Sequence, residues 1–302
     1  MGNSAAKALL EAAEQGRVDS VAQALQSGAD VDSRGRNDWT PLMFAAENGH
    51  LAVVRLLLDQ NASVDARSKA GSTALHQAAA YGGHLEVARL LLSRGAVVDL
   101  ANDHGFTALM VAAYWGNEQI VQLLLDQKAS EDARDWMRRS ALFWAADEGR
   151  SNVVQLLLSR GASTELRDAW GETALIVAAG EGHAAVVQLL LDRNVRLDVQ
   201  NEFGYTALHL AAANGEADVV QLLVTHGAAI ALPDKEGKTA LDVAGSAGIR
   251  QMLVEGASKT RVTPAESPEA GSQGGEEEAE IPERYWRDTF GNNRRRNQFA
   301  VY

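Results

Sequence analysis

The sequence contains no cysteine, which excludes disulfides, thiolate zinc sites, a cysteine nucleophile and S-palmitoylation. It has few prolines: five in 302 residues, three of them together at Pro264, Pro268 and Pro282. No stretch approaches the ~20 apolar residues of a membrane helix, and MGNSAAKALL lacks the apolar core of a signal peptide. Basic residues are outnumbered, 28 against 40 acidic, for a net charge of −12. That balance argues against a general nucleic-acid binder, which needs a basic face to neutralise phosphates. Apolar residues make up an ordinary 46%. Length by itself suggests two domains. A soluble chain is expected, cytoplasmic or alternatively nuclear, neither secreted nor membrane-spanning.

What is present is a repeat. The pattern Thr-x-Leu-x-x-Ala begins at Thr40, Thr73, Thr107, Thr173, Thr206 and Thr239, with a variant at Ser140. The spacing is 33 residues throughout, except for one step of 34 at the Gly82-Gly83 pair. Counting back from Thr40 reaches Lys7 and a degenerate copy, so eight copies run from about residue 2 to 256. Each copy has an alanine pair such as Ala45-Ala46 in a first short helix, then a glycine such as Gly49. A second helix follows with one apolar face, as in Val53-Val54 and Leu56-Leu57-Leu58. Gly28, Gly95, Gly161 and Gly227 end the second helices, as glycines after a helix do. Asn61 and Asn194 stand acceptably in that slot, and Lys128 less comfortably.

The period, with TPLMFAAENGHLAVVRLLL and TALHLAAANGEADVVQLLV, resembles the ankyrin repeat over roughly 85% of the chain. The resemblance implies an all-α solenoid: a β-turn finger plus an antiparallel helix pair per repeat, stacked in one direction. The expected units are an N-capping repeat at 2–34 and six repeats at 35–67, 68–101, 102–134, 135–167, 168–200 and 201–233. A shortened C-capping repeat at 234–256 closes the array. Only Pro41 keeps the family's TPLH proline, and Asp32, Asp65, Asp99, Asp132 and Asp198 replace an asparagine that the family often hydroxylates. In the fourth full repeat, 135–167, Arg138 fills the finger's glycine slot, which implies a strained or reshaped loop.

Twelve aromatic residues lie in the array, all in fingers and first helices and none in second helices. In the family these elements form the concave groove that meets partners. Nine of the aromatics match variable, groove-facing positions: Trp39, Tyr81, Phe106, Tyr114, Trp115, Trp136, Trp170, Phe203 and Tyr205. Phe44, Phe143 and Trp144 are assigned to packing. With Met137, Arg138 and Arg139 the nine form the expected partner-binding set. Glu47, Asp103, Asp147, Glu148, Glu172, Glu181 and Glu202 lie among them. This surface suits a basic partner with apolar anchors, and Arg138 and Arg139 would take an acidic side chain of that partner. The alternative for the rings is stacking between neighbouring fingers, which leaves no exposed patch.

Catalytic signatures are missing: there is no zinc spacing, phosphate-cradling loop or nucleophile elbow. His50, His84 and His183 follow the inter-helix glycine, and His76 and His209 fill the TxLH slot, so all five are read as structural. No enzyme and no cofactor are expected. Gly2 partly fits an N-myristoylation signal, but Ala6 stands where Ser or Thr is preferred; the alternative is an ordinary N-terminal cap, and a membrane contact is expected only with the acyl chain.

Residues 257–283 read as an acidic disordered linker, with two basic and seven acidic side chains and proline-directed phosphorylation candidates at Thr263 and Ser267. Residues 284–302 form a basic, aromatic tail with five arginines and one aspartate; Trp286, Phe290, Arg294, Arg295 and Arg296 are its candidate docking residues. The tail also has the chemistry expected of a groove ligand. The expected function is a monomeric scaffold or adaptor for a protein partner. The alternatives are a recognition subunit of a ubiquitin ligase or kinase complex, or an RNA contact through the tail.

Overall fold

The computed structural model describes residues 2–260, which form sixteen α-helices and no strands. They pair along the chain as α1 (Gly2–Glu14) with α2 (Val18–Gln26), α3 (Pro41–Glu47) with α4 (Leu51–Asp59), and α5 (Ala74–Ala79) with α6 (Leu85–Ser93). The middle pairs are α7 (Ala108–Trp115) with α8 (Glu118–Asp126), α9 (Ala141–Asp147) with α10 (Ser151–Ser159), and α11 (Ala174–Gly180) with α12 (Ala184–Leu191). The last are α13 (Ala207–Asn214) with α14 (Ala217–Thr225), and α15 (Ala240–Val243) with α16 (Ala247–Thr260). Odd-numbered helices pack on one another in sequence, and so do even-numbered ones, giving two layers with each pair bridging them. No described helix is long and apolar enough to cross a membrane.

The first helices begin where an N-cap satisfies their orphan amides. The Thr40, Thr107, Ser140 and Thr173 hydroxyls accept from the amides of Met43, Met110, Phe143 and Ile176 at 3.3–3.4 Å, contacts worth about 1 kcal/mol each. In α5 and α13 a histidine completes the cap. His76 Nδ1 accepts the Thr73 amide at 3.2 Å, and His209 Nδ1 accepts that of Thr206 at 3.3 Å. An amide can only donate, so both rings carry their hydrogen on Nε2 and donate it onward, to the carbonyls of Phe106 (2.9 Å) and Lys238 (3.2 Å) of the next finger.

The core repeats with the sequence. Leu42, Leu75, Leu109, Leu142, Leu175 and Leu208 are buried, and Ala45-Ala46 and its counterparts are sealed between first helices. Small side chains there let the helices approach closely. In the first copy α2 buries only Val21 and Ala24 fully, as a cap with a polar outer side should.

At the other end α16 continues through Thr260. Gly256 does not end a helix. It lies buried within α16, where a Cβ would come within 2.4 Å of Val224 Cγ1 and 3.0 Å of Ile230 Cδ1. Its missing side chain lets α16 close against α14.

Candidate functional site

Most fingers are built on one device. From the third full repeat on, an Asn or Asp five residues before the Thr or Ser anchor accepts two backbone amides of its own loop: Asn102 from His104 and Phe106, Asp135 from Met137 and Arg139, Asp168 from Trp170 and Glu172, Asn201 from Phe203 and Tyr205, all at 2.9–3.0 Å. Adjacent fingers are then joined tip to tip by single backbone hydrogen bonds, such as Trp136 N to His104 O (3.0 Å) and Ala169 N to Met137 O (2.8 Å). The glycine slot takes positive φ, 78° at Gly105 and 77° at Gly171; Arg138 adopts 63° in the same place. The loop keeps the shape of its neighbours there, at the cost of a left-handed arginine.

The predicted surface residues divide three ways. Trp39, Tyr114 and Arg139 are buried, at 8%, 4% and 9% exposure. Phe106, Trp115, Met137, Trp170, Phe203 and Tyr205 are half-buried. Tyr81 (83%) and Trp136 (68%) are exposed, as is Arg138. Rings stack where fingers and first helices meet: Trp39 on Phe44 at 5.1 Å, Phe106 on Trp144 at 5.3 Å, and Tyr114 edge-on to Trp144 at 5.8 Å. Phe44, Phe143 and Trp144 are core residues.

Arg139 corrects the expectation of a partner contact most plainly. Its guanidinium lies 4.7, 4.8 and 5.1 Å from the ring centres of Phe143, Trp144 and Trp170, and its Nε is 3.4 Å from the Asp168 carboxylate. It is enclosed by its own and the next repeat and cannot reach out to an acidic side chain. Beside it, Trp144 Nε1 donates to Asp135 at 3.0 Å. Burial pushes the carboxyls of Asp135 and Asp168 above their ordinary range, although amide hydrogen bonds and Arg139 pull the other way. Neither aspartate was singled out from the sequence, yet an Asn or Asp stands five residues before the last five anchors.

Two of the expected acidic groups are also occupied within the array. Asp103 pairs with Arg67 at 2.9 Å, and buried Glu172 accepts from Asn201 Nδ2 at 3.1 Å. What the fold brings together at the surface is the row of first-helix C-termini. In the middle of that row Tyr81 stands edge-on to Trp115 at 5.3 Å, and Trp115 edge-on to Tyr114 at 5.3 Å. Glu47 holds the equivalent place one repeat before, and Asp147, Glu148 and Glu181 the places on the two repeats after. Glu148 lies 3.6 Å from Arg150, whose Nε donates to the Tyr114 carbonyl at 3.0 Å.

Gly2 is the first residue of α1. Thr263, Ser267, Trp286, Phe290, Arg294, Arg295 and Arg296 lie outside the described residues. Among the described residues no group of three or more His, Asp or Glu side chains is placed to hold a metal ion.

A search of curated proteins returned no match. The family description "Ankyrin repeats (3 copies)" matches residues 9–102, 95–168, 142–232 and 175–263, overlapping windows that cover the array from end to end. Ankyrin repeats serve in general as protein–protein interaction modules, and the two-layer stack of capped helix pairs is what such modules are made of. This chain belongs to the ankyrin-repeat family.

Proposed function

We propose that the chain is a non-catalytic scaffold or adaptor, and that it binds a basic partner segment with apolar anchors at the row of first-helix C-termini. One observation carries this: the Tyr81–Trp115–Tyr114 ring group with Glu47 on one side and Asp147, Glu148 and Glu181 on the other. A cation over an aromatic face gains about 0.5–1 kcal/mol at an exposed site and about 2 when desolvated. Carboxylates one repeat away favour arginine-bearing ligands over acidic ones. Arg139 against Phe143, Trp144, Trp170 and Asp168 is an internal instance of the same pairing of guanidinium, rings and carboxylate.

Selection of a random peptide library on the full chain tests the reading. Peptides combining arginine or lysine with aromatic residues are the expected winners. Tyr81→Ala/Trp115→Ala should lower their binding by at least about tenfold, the scale of a single interface anchor. Acidic winners, or affinities unchanged in the double variant, overturn it.

A further inference from the structure

We infer that residues 284–302 of this chain are an intramolecular occupant of that surface, so that an outside partner must displace the protein's own tail. The inference rests on the same patch as the proposed function, but its test needs no outside partner, and the two can fail separately.

The chemistry matches side for side. The array through residue 256 holds 21 basic and 32 acidic residues, net −11, while residues 284–302 carry net +4. Tyr285, Trp286 and Phe290 bring rings, and Arg287 and Arg294 to Arg296 bring guanidinium groups. The patch offers the complements: exposed Tyr81 and half-buried Trp115, then Asp147, Glu148 and Glu181 toward the C-terminal end.

The reach is sufficient. Residues 261–283 separate the end of α16 from the tail, and a flexible chain of that length spans about 24–29 Å root-mean-square. From α15 back to α9 there are three packed steps, through α13 and α11. At the 8–10 Å of packed helices they amount to about 25–30 Å. The tail leaves from the far end of α16, fourteen residues or about 21 Å from that row. The α11 and α9 ends therefore lie about 35 Å away, beyond the root-mean-square span but well within the roughly 75 Å that such a segment covers when extended.

The intervening segment adds direction. With one basic and seven acidic side chains it is repelled by the acidic array. Only the terminal part is attracted. Tethering supplies an effective concentration on the order of millimolar, so a tail contact of about 0.1 mM intrinsic affinity would be roughly nine-tenths occupied. A partner's apparent affinity would fall about tenfold in consequence.

The lack of cysteine allows a clean test in the full chain. Gln298→Cys carries one nitroxide label, and backbone amide signals are compared with the label oxidised and reduced. The amides of Tyr114 to Gly116, Asp147, Glu148 and Glu181 should lose most of their intensity, while those of α4 and α6 should not. The loss should disappear with Arg294→Gln/Arg295→Gln/Arg296→Gln, substitutions that alter no residue of the packed helices. It should also disappear at about 1 M salt, where screening shortens to about 3 Å. No loss, a uniform loss, or a loss unchanged in the arginine variant overturns the inference. A loss that vanishes on tenfold dilution places the tail on a second copy and overturns it too. If peptide selection still yields basic aromatic ligands in any of those cases, the proposed function stands without its built-in occupant.

Discussion

At the residue scale, His76 shows how a sequence slot becomes a stability term. The ring receives the Thr73 amide on one nitrogen and donates to the Phe106 carbonyl from the other, so its neutral form fits and its protonated form does not. Burial, the largest cause, lowers its pKa to about 4, against an ordinary 6.5. The unfolded chain therefore takes up a proton near pH 6.5 while the folded one declines it until about 4. Stability falls as pH drops through that window, then levels off. Between pH 7 and pH 5 the loss from this residue is about 2 kcal/mol. His209, also lowered by burial, adds in the same direction. Denaturant titrations at the two pH values should show the loss, and His76→Gln, which keeps a donor and an acceptor but does not titrate, should remove most of the His76 share. An identical pH slope in wild type and variant would contradict this assignment.

At the element scale, two glycine positions per repeat look alike in sequence and differ in what constrains them. The glycine after the second helix faces open space: a Cβ at Gly161, φ 94°, meets nothing within 4 Å. Only the backbone angle asks for glycine there, which is why Asn61, Asn194 and even Lys128 fill the slot at φ 61°, 53° and 63°. The glycine between the helices is different. At Gly149 a Cβ would come within 2.6 Å of His183 Nδ1 in the next repeat, and His183 Nε2 is itself 2.9 Å from the Asp147 carbonyl. His50 and His84 repeat that bond to the Glu14 and Glu47 carbonyls, and Arg150 and Asn117 substitute for histidine at their turns. Each such side chain satisfies carbonyls orphaned at the end of the preceding repeat's first helix. Gly149→Ala should therefore cost about 2–3 kcal/mol, a left-handed penalty plus overpacking. Gly161→Ala should cost about 1 kcal/mol, and Lys128→Gly should add stability on the same scale. Equal losses at Gly149 and Gly161 in denaturant titrations would refute the distinction. The helices, their glycines and the histidine roles were legible because each repeats at a fixed offset. The end of α16 was not, because a glycine inside a helix and a glycine after one read alike in sequence, and only packing of Gly256 against Val224 and Ile230 distinguishes them.

At the scale of the whole molecule, several recurring devices link a repeat to its neighbour. Carboxylates of Asp32, Asp65, Asp99, Asp132 and Asp198 accept amides of Ser63, Val97, Ser130, Ser163 and Ala229 at 2.8–3.2 Å, which is what aspartate does where the family often has asparagine. Arg34, Arg67, Arg134 and Arg167 donate to a carbonyl of the next finger in the same regular way. The aromatic surface was less legible than the fold for a related reason. Sequence places rings in fingers and first helices, but whether a ring faces a partner or the adjacent repeat depends on the neighbour 29–38 residues away. Tyr114 is covered because Trp144 is there, and Arg139 is enclosed because Asp168 and Trp170 are. Coupling of this kind passes from repeat to repeat and no further, as in a one-dimensional chain. Arg139→Ala would leave Asp168 buried without its cation, a change worth about 3–5 kcal/mol. Its damage should stay local: hydrogen exchange should speed up across α9 to α12, with α1 to α4 keeping wild-type protection. Equal acceleration in all helices would mean that the array unfolds as one cooperative body, and that contacts between adjacent repeats do not set the range over which a local defect is felt.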